Sequence, residues 1–144
     1  MILFSDNLGV TATGAGFQPI ASVPVPAGML LDGVLRWSIS GRRTTGTGTS
    51  SLRARFGGVD LLAPGAGDTS ANVYSKASAS AVNPASLRAN GLTSRGGAVQ
   101  GTGLAAVDLS LAHNLDFEID LATDTDVFTF DDLTVEYLPP APGS

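Results

Sequence analysis

The residues that could do chemistry are concentrated near the C-terminal end of the chain. Residues 108–144 hold nine of the 13 acidic residues and no Lys or Arg, a formal charge of −9. Residues 1–107 hold four acids and all eight Lys and Arg, a formal charge of +4. Within the acidic part, Asp116, Glu118 and Asp120 alternate with apolar residues. Alternation with period two predicts that the three carboxylates share one face of a β-strand.

Three interpretations of these carboxylates are open at this point. Arg53 and Arg55 alternate in the same way within Leu52–Phe56, so the two strands could pair inside one domain, each pair contributing up to about 1 kcal/mol. The acidic face could instead meet the arginines of another subunit and set its register. Asp124 and Asp126 in the following turn could also contribute to a calcium site, although no EF-hand spacing is present.

The adjacent pair Arg42–Arg43 follows a strand pattern and is surrounded by Ser, Thr and Gly. This pattern is typical of a solvated loop, and the two arginines could also contact a nucleic acid or an acidic partner surface. The interpretation as a subunit interface therefore selects seven residues: Arg42, Arg43, Arg53, Arg55, Asp116, Glu118 and Asp120.

The composition argues against most enzyme classes. The chain has no Cys and a single His, His113, so thiolate sites and sites with two imidazoles are excluded. The glycine-rich segments at Gly46–Gly48 and Gly101–Gly103 lack the Gly-Lys-Ser/Thr ending of a P-loop, and no Gly-x-Ser-x-Gly motif occurs. The sequence therefore predicts no catalytic residues and no cofactor.

Charge and hydropathy limit the partners. A net charge of −5 argues against a dedicated nucleic-acid binder. The most apolar stretch, residues 19–31, is interrupted by Pro24 and Pro26 and is too short to cross a membrane. The start of the chain does not have the pattern of a signal peptide. We therefore expect no nucleic-acid partner and no membrane partner.

The elements that must position these residues are β-strands. Glycine accounts for 18 of the 144 residues, which favours a turn-rich chain. Alternation is clear at Leu35–Ile39, at Leu52–Phe56 before a Gly57-Gly58 hairpin turn, and at Leu115–Leu121, whereas residues 72–103 are weakly patterned. We predict an all-β chain, a single antiparallel β-sandwich that is jelly-roll-like and has about eight strands.

The same composition and alternation patterns predict the domain organisation. Residues 1–18 are predicted to form an N-terminal arm, or a short strand plus a loop, because they are rich in Gly, Thr and Asn. Residues 19–138 form the β-sandwich, beginning with a Pro-containing edge strand. Residues 139–144 are a Pro-rich C-terminal tail.

The order of these segments resembles a known group of proteins. It runs from the Pro-Ala-Gly at Gly28, through Leu52–Gly58, to the closing strand Phe128–Tyr137. This order is similar to that of small β-sandwich proteins of tailed-bacteriophage virions, found as capsid decoration, head-fibre or tail-associated subunits. The resemblance covers roughly residues 19–138 and implies a jelly-roll-like domain, trimeric assembly and no catalysis.

These observations lead to a functional hypothesis. We expect a non-enzymatic structural protein of the virion, a capsid decoration (cement) or head-fibre subunit that is assembled in the host cytoplasm. It would form a homotrimer and bind neighbouring capsid or tail proteins. The alternative is a tail- or baseplate-associated subunit, or a carbohydrate- or receptor-binding module of a tail fibre. A carbohydrate-binding module would need Trp37, Tyr74 and Tyr137 exposed on a sheet face, whereas the strand pattern places Trp37 in the core.

Overall fold

The strands form two sheets in a computed structural model that describes residues 1–61, 71–93 and 103–140. One 3₁₀ turn, Met29–Leu31, precedes the third strand. No helix among these residues has the length and apolarity to cross a membrane. In chain order the strands are β1 (Ile2–Thr13), β2 (Gly16–Val25), β3 (Val34–Thr45), β4 (Ser50–Phe56), β5 (Val59–Asp60), β6 (Asn72–Asn83), β7 (Ser86–Thr93), β8 (Gly103–Ala106), β9 (His113–Leu121) and β10 (Val127–Leu138).

The topology is that of a jelly roll. One sheet has six strands in the order β1-β10-β3-β6-β7-β8, and the other has four in the order β2-β9-β4-β5. Four antiparallel pairs are nested in the chain, namely β1 with β10, β2 with β9, β3 with β6, and β4 with β5. This nested order arises because a jelly roll corresponds to one long antiparallel pair of strands that is wound into two sheets. The predicted all-β, antiparallel, jelly-roll-like sandwich is confirmed, with β7 and β8 added to the eight strands of the roll.

The core lies between the two sheets and is filled by the residues that alternate inward. Along β9 and β4 every second side chain is buried, as the sequence predicts. Trp37 meets Phe117 of the opposite sheet edge to face, with ring centroids 6.3 Å apart. The indole Nε1 of Trp37 donates a hydrogen bond to the buried Ser75 hydroxyl at 3.1 Å. The prediction that Trp37 belongs to the core is confirmed.

Two local predictions about turns and edges are also confirmed. Gly57 and Gly58 have φ angles of +59° and +79° and connect β4 to β5 as a tight hairpin. Strand β2, which contains Pro19 and Pro24, is an edge strand of the four-stranded sheet. An edge tolerates proline because the missing amide donor faces away from the neighbouring strand.

Residues 1–18, which the sequence predicts to be an N-terminal arm or a short strand plus a loop, are mostly strand. Residues 2–13 form β1, a full strand paired with β10, and β2 already begins at Gly16. The alternation of β1 is hidden because the register shifts between Asn7 and Val10, where Gly9 has a φ of +58°. As an edge strand, β1 also carries more polar residues than a central strand would.

The weakly patterned region also contains strands. Asn72–Asn83 and Ser86–Thr93 form β6 and β7, and several of their inward positions are small residues, Ala77, Ala79 and Ala89. Small side chains give little contrast with the serines that alternate with them, which is why the pattern is weak. Residues 94–102, with most of the second glycine-rich segment, and residues 141–144 of the predicted tail lie outside the described residues.

Candidate functional site

Five of the seven predicted interface residues lie together on the outer face of the four-stranded sheet. Because β4 and β9 are neighbours, Arg53 stands opposite Glu118 and Arg55 stands opposite Asp116. Asp120 lies two residues further along β9, between Ser51 of β4 and Phe17 of β2. We call this surface the charged face. It consists of Phe17, Arg53, Arg55, Asp60, Asp116, Glu118 and Asp120.

The centre of the charged face is Arg53. Its guanidinium forms an ion pair with Glu118, with an N–O distance of 2.7 Å, and its Nε donates to the same carboxylate oxygen at 2.8 Å. The aromatic ring of Phe17 covers the guanidinium, whose carbon lies 3.4 Å from the ring centroid. This cation–π contact leaves Arg53 with 14% side-chain exposure, while Phe17 is 41% exposed. The interpretation of the charges as cross-strand pairing within one domain is therefore confirmed for Arg53 and Glu118.

Arg55 has a different partner from the expected one. Its Nε lies 3.0 Å from a carboxylate oxygen of Asp60, which is its neighbour across the β4–β5 hairpin. Asp60 also lies 4.0 Å from Arg53. Sequence reasoning missed Asp60 and Phe17. Asp60 could have been found, because a two-residue turn at Gly57-Gly58 places it directly opposite Arg55.

Two carboxylates of the charged face have no cationic partner. Within the part of the chain that the structure describes, Asp116 and Asp120 take part in no ion pair. The face carries two arginines and four carboxylates, Asp60, Asp116, Glu118 and Asp120, so its net charge is −2. It can therefore attract a cationic surface of another protein.

The two remaining interface candidates lie elsewhere, on opposite sides of β3. Arg42 is exposed on the outer face of the six-stranded sheet and contacts Asp131 at 3.4 Å. Arg43 points inward, because its cross-strand neighbour Phe128 is a core residue, and its guanidinium lies 4.7 Å from the centroid of that ring. The prediction of Arg43 as an interface or solvated loop residue was wrong, since its side chain is only 8% exposed.

The partner of Arg43 is Asp126, which is fully buried. The Arg43–Asp126 ion pair has an N–O distance of 2.7 Å. The carboxylate of Asp126 also accepts hydrogen bonds from the amide of Gly48 and the hydroxyl of Thr123, both at 3.0 Å. Asp124 accepts a hydrogen bond from the amide of Ala15 at 2.8 Å. Asp126, a residue of the calcium interpretation, therefore stabilises the end of the sandwich, and residues 1–61, 71–93 and 103–140 contain no group of three acidic or His residues that could share a metal.

His113 contacts Phe56 and the turn that precedes β9. Its ring packs edge to face on Phe56 with centroids 5.3 Å apart, and its Nε2 lies 2.8 Å from the carbonyl oxygen of Asp108. Hydrogen bonds from the hydroxyl and amide of Ser110 lower the pKa of the Asp108 carboxyl. These contacts stabilise the turn that leads into β9.

The three aromatic residues considered for a carbohydrate platform do not come together on one surface. Trp37 is buried, whereas Tyr74 and Tyr137 are half-buried. Tyr74 lies on the outer face of the six-stranded sheet, opposite Ser40. Tyr137 stands beside Asp32, and burial together with this carboxylate raises the pKa of its phenol.

Comparisons with known proteins find matches among solved structures and none among protein families or curated sequences. No model of a protein family matches the chain, and no curated protein matches it in sequence. Among solved structures, it is similar to the CBM22-1 xylan-binding domain of Xyn10C from Paenibacillus barcinonensis, with 12% identity and a TM-score of 0.37. The superposition covers 98% of this chain and 97% of that domain. At this TM-score the likeness carries no argument about function.

Proposed function

We propose that this chain is a non-enzymatic structural protein of a tailed-bacteriophage virion, a capsid decoration or head-fibre subunit. It binds neighbouring virion proteins and associates with itself as a homotrimer. The charged face is the surface through which subunits meet. The jelly roll is compatible with this proposal because viral capsid domains use it, although a fold alone does not determine function.

The observation that carries the proposal is the chemistry of the charged face. It presents an aromatic ring stacked on an arginine, Phe17 on Arg53, and both residue types are enriched at protein interfaces. Around this stack lie Asp116 and Asp120, two carboxylates that form no ion pair with any residue the structure describes. A neighbour that supplies cations to them gains two ion pairs and buries the ring, so the contact has both an apolar anchor and a fixed register.

Light scattering on the purified chain tests this assembly. We expect the wild type to show three times the 14.5 kDa mass of one chain. The double variant Asp116→Lys, Asp120→Lys should show the mass of one chain, because it places two cations where the neighbour's cations would lie. Neither residue has an ion-pair partner in the described part of the chain, so the variant should still fold.

A matched control separates assembly from general charge effects. Asp6 and Asp132 are exposed on the six-stranded sheet, and the double variant Asp6→Lys, Asp132→Lys reverses two charges there. We expect this variant to keep the mass of the trimer, and circular dichroism to show the same β-structure in all proteins. A wild type that stays monomeric at all concentrations would overturn the proposed trimer. A trimer in the Asp116→Lys, Asp120→Lys variant would overturn the assignment of its interface to the charged face.

A further inference from the structure

A polar groove runs across the outer face of the six-stranded sheet. It crosses β10, β3, β6 and β7, on the sheet that does not carry the charged face. Side chains from all four strands line it, namely Arg36, Ser38, Lys76, Ser78, Asn90, Thr134 and Glu136. We call this feature the polar groove.

Strand register aligns these side chains in rows. Glu136, Arg36, Ser78 and Asn90 are successive cross-strand neighbours and form one row. Three strand spacings make this row about 14 Å long. The adjacent row begins with Thr134, Ser38 and Lys76. The groove therefore offers an ordered array of hydroxyl, amide and charged groups.

The charge of the groove is opposite to that of the whole chain. Arg36 is paired with Glu136 at 3.2 Å, so these two charges compensate each other. Lys76 and Arg88 are exposed on the same face, and neither takes part in an ion pair among the described residues. Lys76 lines the groove and Arg88 lies one row beyond one end, whereas the exposed Asp132 lies one row beyond the other end. The groove and its two flanking rows therefore keep a small positive charge in a chain with a net charge of −5.

The available groups define the chemistry of a ligand. The backbone donors and acceptors of β3 and β6 are used in the sheet, so a ligand on this face must bind to side chains. Serine, threonine and asparagine side chains both donate and accept hydrogen bonds, as sugar hydroxyls do. Tyr74 lies two residues before Lys76 on the same face and offers the edge of an aromatic ring.

We propose that the polar groove binds a carboxylate-bearing polysaccharide. The carboxylates of the sugar chain contact Lys76 and Arg88, and its hydroxyls bind Ser78, Asn90 and Thr134. A peptide that extends the sheet would bind at an edge strand instead of this face. Two free cations are few for a nucleic acid, whose affinity comes from many phosphate contacts.

Native electrophoresis in gels that contain a polysaccharide tests this proposal. Polygalacturonate is the probe, and its fully methyl-esterified form is the matched uncharged probe. We expect polygalacturonate to retard the protein, and the dissociation constant to be at least about tenfold higher for the esterified form, the size of a lost charge-assisted hydrogen bond. Lys76→Gln should weaken binding of polygalacturonate by about the same factor.

Arg42→Gln is the control variant. Arg42 lies on the same sheet face but outside the groove, four residues along β3 from Ser38, which is about 13 Å away. The Arg42→Gln substitution changes the net charge by the same amount as Lys76→Gln, and we expect it to leave the dissociation constant for polygalacturonate unchanged. Equal effects of the two variants would show attraction by net charge alone and would overturn the proposal.

Other outcomes would also overturn it. These are no retardation by either polysaccharide, equal binding of both polysaccharides, and equal binding of polyglutamate or single-stranded DNA in solution. Because the groove and the charged face lie on different sheets, binding of the sugar and formation of the trimer can fail separately.

Discussion

At the scale of single residues, the Arg43–Asp126 pair determines how one end of the sandwich closes. Burying two charges is costly unless they are paired and hydrogen-bonded, and Asp126 has three protein donors. Arg43 also donates to the carbonyl oxygen of Gly48 at 2.6 Å. The pair therefore fixes the glycine-rich loop after β3 to the turn before β10. A side chain at Gly46, whose φ is +93°, would overlap with the Asp126 carboxylate, which explains the glycine there.

Replacing the buried acid tests this role. Asp126→Asn leaves the charge of Arg43 buried without a partner, so we expect the free energy of unfolding to fall by about 3 to 5 kcal/mol. Asp131→Asn removes the partner of the exposed Arg42 and should cost less than about 1 kcal/mol. Urea unfolding monitored by Trp37 fluorescence measures both. Similar losses of unfolding free energy in the two variants would show that the buried ion pair contributes no more to stability than the exposed one.

The different positions of Arg42 and Arg43 could have been predicted. Leu35, Trp37 and Ile39 alternate inward, and the same alternation continued to residue 43 places Arg43 on the core side. We interpreted the two arginines as a loop because Gly41 and the following threonines suggested that the strand had ended. In the structure Gly41 is a strand residue, and the ring of Phe130 occupies the space that a side chain there would need.

At the scale of elements, strands with large alternating residues could be predicted and strands without them could not. β4 and β9 bury every second side chain, and their apolar residues are large. The full length of β1 was missed because its register shifts near Gly9, and β6 and β7 gave weak patterns because several of their inward residues are alanines. In each case tertiary pairing, which is invisible in a local pattern, makes the strand.

Tyr137 of β10 contacts the segment that precedes β3. The hydroxyl of Tyr137 donates to a carboxylate oxygen of Asp32 at 3.4 Å, and its ring lies where a side chain of Gly33 would be. Burial and the negative charge of Asp32 raise the pKa of Tyr137 above its ordinary value of 10.0. The folded chain therefore resists ionisation of this phenol more than the unfolded chain does.

This shift predicts loss of stability in alkali. The contribution of Tyr137 is fully present below pH 10, because the phenol is then neutral in both states. As the pH rises further, the unfolded state ionises first and the free energy of unfolding falls until the folded phenol also ionises. Urea unfolding at pH 9 and pH 11 should show a smaller fall for Tyr137→Phe than for the wild type. An equal fall in the two proteins would contradict the assignment.

At the scale of the whole molecule, the jelly roll presents two outer faces with different chemistry. The four-stranded sheet carries the charged face, with a net charge of −2. The six-stranded sheet carries the polar groove with Lys76, and Arg88 lies beside the groove; neither cation has an ion-pair partner among the described residues. The roll leaves both faces open because the core uses only the inward residues. A subunit of this kind can bind neighbouring subunits with one face while the other remains available to a ligand.

Prediction of the residues on these two faces is limited by the strand order, which the sequence does not reveal. Arg53 and Glu118 could be paired because alternation and opposite charge identify both strands. The contact of Phe17 with Arg53 could not be predicted, since it forms only because β2 lies beside β9. The polar groove needs the order of four strands, which no local pattern gives.

The most direct test of the proposed function is mass spectrometry of virus particles purified from cultures of the source whose genome encodes the chain. Heads and tails are separated before digestion, and the chain is quantified against the major capsid protein. We expect its peptides in the head fraction, in a fixed ratio to the capsid protein that survives repeated density-gradient purification. Absence from the particles, or presence with the tails alone, would contradict a capsid decoration or head-fibre role.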